Sequence, residues 1–141
     1  EAGRIMLNRI NELLELNENF AFETTLATKS YKSKVEYAQE KKYTVTLLFF
    51  WLQNVDLAIE RVKTRVLEGG HNIETDIIHR RYKNGIKNLF EIYLPIVDEV
   101  MIFDNSAGKP ELIAEKIVES DINILNTIKF NKLKKYYNEN S

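Results

Sequence analysis

Four arginines stand in two pairs on either side of a double glycine near the middle of the chain. Arg61 and Arg65 precede the glycines at positions 69 and 70, and Arg80 and Arg81 follow them. Arginine keeps its charge at physiological pH, and its planar guanidinium offers a fork of donors that matches phosphate oxygens. The pattern therefore predicts a clamp on an anionic, phosphorylated ligand.

The elements that carry these arginines are predicted to be two helices joined at the glycines, which together form a lid over about residues 60–82. Asn54 is a suitable N-cap for the first helix, in which Val55, Ile59, Val62 and Val66 are expected to form a buried stripe. The second helix begins near Thr75 and is stopped by Pro95. Two plainer interpretations stay open: the arginines pair with neighbouring carboxylates, and the glycines form an ordinary helix C-cap.

Strand and helix patterns alternate along the chain, which favours one α/β domain over residues 1–141. Strands are predicted at 20–25, 43–52 and 97–103, and helices at 4–16, 30–42, 54–68, 75–94 and 122–137. Residues 111–118 suit a helix or an edge strand. The nearly continuous apolar run at 43–52 is typical of a central strand that is covered on both faces. The expected fold is thus a three-layer parallel sheet with helices on both faces.

Polar residues end or directly follow each predicted strand, at 23–25, 53–54 and 104–106. In open α/β sheets, ligands bind at the carboxyl ends of the strands, so these residues are predicted to floor a crevice under the lid. Glu23 is the most informative of them, because a buried carboxylate needs partners. The alternatives are that Glu23 reaches the surface and that residues 104–106 form an ordinary turn.

The composition excludes several classes of site. The net charge is −1, there is no cysteine, and the two histidines are not closely spaced, so a metal site is not expected. No apolar run is long enough to span a membrane, and a cytoplasmic location is expected. Lys129, Lys132, Lys134 and Lys135 cluster near the end of the last helix, which leaves nucleic-acid binding as a weaker alternative.

Short motifs in the chain resemble those of the zeta-toxin-like P-loop kinases, in particular the branch described as predicted ABC-type ATPases. They follow in the family's order: Ala-Gly-Arg at 2–4, Phe-Ala-Phe-Glu-Thr-Thr-Leu at 20–26, Arg-Val-x-x-Arg-Val at 61–66, Gly-Gly-His-x-Ile at 69–73, Ile-x-Arg-Arg-Tyr at 78–82, Asn-Leu at 88–89, Tyr93 and Asp-Asn-Ser at 104–106.

The resemblance implies a nucleoside-kinase-like fold and ATP-dependent phosphoryl transfer to a small hydroxyl-bearing substrate, such as a nucleotide sugar. An antitoxin protein is the macromolecular partner that it suggests. The roles that it implies are nucleotide binding for Arg61, Arg65 and Asn105, neutralisation of charge on the transferred phosphoryl group for Arg80 and Arg81, and acceptor contact for Glu23 and Thr24.

The chain departs from the family pattern in its first part. Family members begin with a strand and a glycine-rich loop whose Lys and Ser/Thr hold phosphates and Mg²⁺, followed by an Asp-bearing segment. The pattern G-x-x-x-x-G-K-[ST] does not occur here: Ala-Gly-Lys at 107–109 lacks glycine at Phe103 and has Pro110 in place of Ser/Thr.

Three expectations follow from this departure. The P-loop fold is expected to be N-terminally incomplete, with ATP and Mg²⁺ used by the complete protein but not by this chain alone. An unpaired sheet edge is expected to favour a homodimer. The alternative to an enzyme portion is a non-catalytic binding or interaction module derived from such a kinase.

Overall fold

A computed structural model describes all residues from 1 to 141 as five helices and a four-stranded sheet. The helices are α1 (Ala2–Glu15), α2 (Tyr31–Glu40), α3 (Val55–Leu67), α4 (Thr75–Asn88) and α5 (Thr127–Asn140). The strands are β1 (Thr46–Trp51), β2 (Glu99–Asp104), β3 (Glu111–Lys116) and β4 (Asn123–Ile124). A π-helical turn, Leu89–Tyr93, continues α4 and ends before Pro95. None of the helices combines the length and the apolarity needed to cross a bilayer.

The sheet has the order β1-β2-β3-β4 and is mixed. β1 and β2 are parallel, with Thr46 opposite Glu99 and Trp51 opposite Asp104, whereas β3 and β4 each run antiparallel to the strand before them. The prediction of a fully parallel sheet is therefore wrong for β3 and β4. The reason is the length of the connections: residues 105–110 and 117–122 are too few for a parallel crossover and suffice only for hairpins.

The core lies on one face of the sheet, and the predicted helix layer on the second face is not observed. Val100, Ile102 and Ala114 of the sheet pack in one cluster with buried residues from α1, α2, α4 and α5. On the other face Leu48 and Phe50 are each 50% exposed. The prediction that β1 is a central strand is also wrong, because β1 pairs only with β2 and forms an edge.

Residues 20–25 form no strand, although their composition predicted one. A strand needs a neighbour that takes its backbone hydrogen bonds, and no strand lies beside this segment. Its hydroxyls instead make local turns: Leu26 N–H donates to Thr24 Oγ1 (3.3 Å), and Ala27 N–H donates to Thr25 Oγ1 (3.4 Å). Leu26 takes a left-handed backbone conformation with φ of 61°.

The helix limits depend on capping side chains. Asn54 caps α3 as predicted, its Oδ1 accepting from Leu57 N–H at 3.0 Å. The last helix begins at Thr127 rather than Ile122, because Asn126 Oδ1 accepts from Lys129 N–H at 3.1 Å and so sets the first turn.

Two predicted apolar stripes are only partly correct. In α5, Leu133 is buried as predicted, but Leu125, which precedes the helix, and Ile128 are 50% and 85% exposed. No residue of α3 is buried, so the predicted stripe of valines and isoleucine is wrong for that helix. α3 packs mainly against α4 and contributes no residue to the core cluster.

Candidate functional site

The carboxyl ends of β1 and β2 meet in a polar network centred on Asp104. Gln53 Nε2 donates to Asp104 Oδ2 (2.8 Å), Gln53 N–H donates to Ser106 Oγ (2.9 Å), and Ser106 N–H donates to Asp104 Oδ1 (3.0 Å). These hydrogen bonds join two of the three predicted strand ends, those of β1 and β2, into one network. Because Asp104 Oδ1 accepts from Ser106 N–H, residues 104–106 also form the turn that was the alternative interpretation.

Asp104 is held as a buried carboxylate by a lysine from the last helix. Lys129 Nζ lies 2.8 Å from Asp104 Oδ2 and 2.7 Å from Glu111 Oε1. Burial alone would raise the pKa of Asp104, but hydrogen bonds from Lys129, Ser106 and Gln53 outweigh it and lower that pKa to about 2. The hydrogen bonds to Asp104 and Glu111 raise the pKa of Lys129. The pair is therefore fully ionised at neutral pH.

The sequence interpretation missed the pairing of Asp104 with Lys129. It assigned the lysine to a basic tail and the aspartate to a strand end. The available signal was Asp104 itself, a carboxylate placed directly after the apolar run of β2, which needs a partner if it is buried.

Arg61 connects α3, the first helix of the predicted lid, to the Asp104 network. Its Nη2 donates to the carbonyl oxygen of Asn105 at 2.5 Å and lies 3.5 Å from that of Ser106. The structure thus brings together two of the predicted nucleotide-binding residues, Arg61 and Asn105. The contact uses the backbone of Asn105 and leaves its side-chain amide available to a ligand.

The double glycine forms a defined C-cap for α3. Gly69 has φ of 94°, a left-handed conformation that favours glycine. Gly70 N–H donates to Arg65 O at 2.6 Å, and a Cβ at position 70 would lie 2.8 Å from that oxygen. Both glycines are therefore required by the turn itself, which is the plainer of the two interpretations that the sequence left open.

The other three lid arginines, Arg65, Arg80 and Arg81, are exposed. None of their guanidinium groups takes part in any of the side-chain hydrogen bonds or ion pairs of the structure, although acidic residues lie nearby in the sequence. The structure does not bring them into contact with the Asp104 network. Three permanent positive charges on α3 and α4 thus have no ion-pair partner within the chain.

The predicted acceptor residues Glu23 and Thr24 are exposed and lie in a segment docked on α4. Asn88 Nδ2 donates to Leu26 O at 2.9 Å, and a Cβ at Gly85 would lie 3.0 Å from Thr25 O. Arg81 precedes Gly85 by one helical turn, so the two share a side of α4. Glu23 therefore reaches the surface, as the alternative interpretation had it, and takes no part in the Asp104 network.

Tyr82, at the end of the predicted lid, joins α4 to the end of β1 and to α5 through contacts that the sequence did not predict. The Tyr82 hydroxyl donates to Leu52 O at 2.6 Å, and burial raises the pKa of Tyr82 to about 12. Tyr136 of α5 packs edge-on against Tyr82 with 5.1 Å between ring centroids. Trp51 is buried beneath them, and its indole N–H has no acceptor.

The structure brings together no group of three or more His, Asp or Glu side chains that could hold a metal ion. An ion used in phosphoryl transfer would therefore need ligands other than a ready cluster of these side chains.

The chain matches a known protein family over most of its length. Residues 1–117 match the family model described as "Zeta toxin". A protein from Haemophilus influenzae (strain ATCC 51907 / DSM 11121 / KW20 / Rd), described as "Uncharacterized protein", is 30% identical over 82 residues, which are 58% of this chain and 59% of that protein. The chain thus spans less than two thirds of that relative's length. No solved structure matches the chain.

Proposed function

Because the chain belongs to the zeta toxin family, we propose that it forms the lid and acceptor side of an ATP-dependent small-molecule phosphotransferase. A kinase-like function follows at the level of the family. The assignment of these residues to the lid and the acceptor site is our proposal.

The observation that carries the proposal is that Arg65, Arg80 and Arg81 are exposed and make no ion pair, on α3, which also carries Arg61, and on α4, which packs against it. Catalysis of phosphoryl transfer depends mainly on positioning and on neutralising charge on the phosphate oxygens. Unpaired guanidinium groups that need no rearrangement supply that neutralisation. Surface arginines on helices commonly pair with carboxylates. These three do not.

The amide of Asn105 and the arginines of α3 and α4 are chemically suited to bind the base and the phosphates of a nucleoside triphosphate. ATP would supply the transferable phosphoryl group. In our proposal the free Asn105 amide contacts the base, Arg61 and Arg65 lie along the nucleotide, and Arg80 and Arg81 carry the charge of the transferred group. Glu23 and Thr24, on the side of α4 that also bears Arg81, contact the acceptor hydroxyl. The 141 residues contain no phosphate-binding loop pattern, so the phosphate cradle and the Mg²⁺ ligands belong to other residues of the active protein.

The acceptor, partner and location belong to the same proposal. A nucleotide sugar is the acceptor suggested by the family resemblance, an antitoxin is the expected protein partner, and a cytoplasmic location gives access to ATP.

The test uses the full-length natural protein, including any residues that precede Glu1. We expect it to bind ATP with Mg²⁺ in titration calorimetry and to transfer phosphate to a nucleotide sugar. Arg81→Ala should lower turnover about 100-fold, the scale found when one stabilising donor is removed from an active site. Lys83→Ala, also exposed on α4, is the matched control and should keep wild-type turnover. Absence of ATP binding, or equal effects of the two substitutions, would contradict the proposal.

Nucleic-acid binding through α5 receives less support from the contacts of its lysines. Lys129 and Lys132 are used inside the chain, the latter donating to Gln53 Oε1 at 3.0 Å. Lys134 lies over the Phe90 ring at 4.5 Å, and Lys135 lies 3.9 Å from Glu139. Salt-dependent binding that is lost when α5 is deleted would revive this alternative.

A further inference from the structure

Three side chains of α5 contact the site in a regular series. Lys129 Nζ reaches Asp104 at the end of β2, and Lys132 Nζ reaches Gln53 at the end of β1. Tyr136 packs on Tyr82, whose hydroxyl donates to Leu52 O. Positions 129, 132 and 136 are three and four residues apart and therefore share one face of the helix. This face runs across the carboxyl ends of both parallel strands.

The helix that makes these contacts lies outside the part of the chain that matches the family. The family match ends at residue 117, whereas α5 begins at Thr127. The residues that it contacts, Gln53, Tyr82 and Asp104, all lie within the match. A segment beyond the family region thus supplies the only positive charge that balances the buried carboxylate of the site.

We propose that α5 is a clamp on the strand ends and that Lys129 is a positioning residue for the nucleotide site. Lys129 fixes Asp104, Asp104 fixes the turn at 104–106 through Ser106 N–H, and the turn presents the Asn105 carbonyl that holds Arg61. The proposal rests on the proposed function for its link to nucleotide binding, but the chain of contacts is independent of it.

The physical reason lies in the burial of Asp104, which is only 4% exposed. Without Lys129 the carboxylate keeps donors from Gln53 and Ser106 but loses its counter-charge, and a buried unpaired charge is costly. The least costly response is for the turn to open and hydrate Asp104, which moves the Asn105 carbonyl away from Arg61. The helix itself stays docked, because Phe130 and Leu133 remain in the core.

The experiment replaces the lysine by an uncharged side chain of similar length, Lys129→Met. Lys129→Arg is the conservative variant, because it restores the charge. Lys135→Met is the matched control, because Lys135 makes only a surface pair on the same helix, with a side chain 74% exposed. Thermal unfolding is measured first, and if Lys129→Met does not fold, Lys129→Gln is used in its place.

The first readout needs no nucleotide. In ¹⁵N NMR spectra of this chain, Lys129→Met should shift the amides of Asn105 and Ser106 and speed exchange of the Arg61 guanidinium protons about 5- to 10-fold, the scale of losing one hydrogen bond. Lys129→Arg and Lys135→Met should leave these signals close to wild type. Unchanged Asn105 and Arg61 signals in Lys129→Met would overturn the clamp.

The second readout is steady-state kinetics of the full-length protein. Lys129→Met should raise KM for ATP about tenfold with a smaller change in kcat, and Lys129→Arg should recover most of the loss. A variant that only lost stability would show fewer active molecules at unchanged KM, which contradicts the positioning role. If the wild-type protein binds no ATP, the proposed function fails, and the NMR readout still decides the clamp.

Discussion

Replacing Asp104 by asparagine should remove one defined part of the acid sensitivity of the fold. The pKa of Asp104 is lowered from 3.8 to about 2 in the folded chain, a gap of about 1.8 pH units. At 1.36 kcal/mol for each unit, the ionised carboxylate contributes about 2.4 kcal/mol to the free energy of unfolding. Because the pKa is depressed on folding, this contribution is complete above the unfolded value of 3.8 and is lost as the pH falls towards 2.

The assay is urea unfolding followed by the fluorescence of Trp51, the single tryptophan, which is buried at the end of β1. The free energy of unfolding is measured for wild type and Asp104→Asn from pH 6 to pH 2. The wild-type advantage at pH 6 should shrink by about 2 kcal/mol at pH 2. Glu139→Gln is the control, because Glu139 is exposed, makes only a surface pair with Lys135, and should leave the pH profile close to that of wild type. Parallel pH profiles for wild type and Asp104→Asn would refute this account of the pair.

Two further predictions concern the lid turn and the sheet edge. Gly70→Ala should lower the free energy of unfolding by about 1–3 kcal/mol, because its Cβ would meet Arg65 O at 2.8 Å. Urea titration checks this, and Gly3→Ala, which meets nothing within 4 Å, should cost nothing. Leu48→Lys should abolish self-association measured by sedimentation, because a charge on an edge strand opposes pairing with a second sheet. Leu67→Lys, on the exposed end of α3, should leave self-association unchanged, and an equal loss in both variants would exclude the β1 edge as the interface.

Local patterns in the sequence predicted most helices and strands, but they did not predict which elements lie next to each other in the fold. The apolar run that contains β1 was identified, and the helices around the double glycine were bounded by Asn54 and Pro95. The position of β1 at the sheet edge could not be predicted. An apolar sequence indicates that the side chains of a strand are buried, but it does not indicate which strands form hydrogen bonds with its backbone. The same reasoning explains residues 20–25, whose composition suits a strand that has no partner here.

Several residues of the candidate site were predicted from the sequence, but the contacts that join them were not. The spacing of Arg61 and the polar end of β2 indicated two halves of one site, and the structure joins them through the Asn105 carbonyl. The contact of Lys129 with Asp104 depends on Asn126. The Asn126 side chain caps the start of α5, and Lys129 lies in the first turn of that helix. A single asparagine before a moderately amphipathic segment is a weak signal, so the helix was predicted to begin too early.

The left-handed backbone of Leu26 raises the free energy of the segment that precedes α2. A buried leucine in this conformation stands about 1–2 kcal/mol above a relaxed one, which is a bias of roughly 5- to 30-fold towards another local backbone state. The bond from Asn88 and the packing of the leucine in the core oppose that bias. The strained turn at Leu26 is therefore kept in place by its contacts with α4, the helix that carries Arg80 and Arg81.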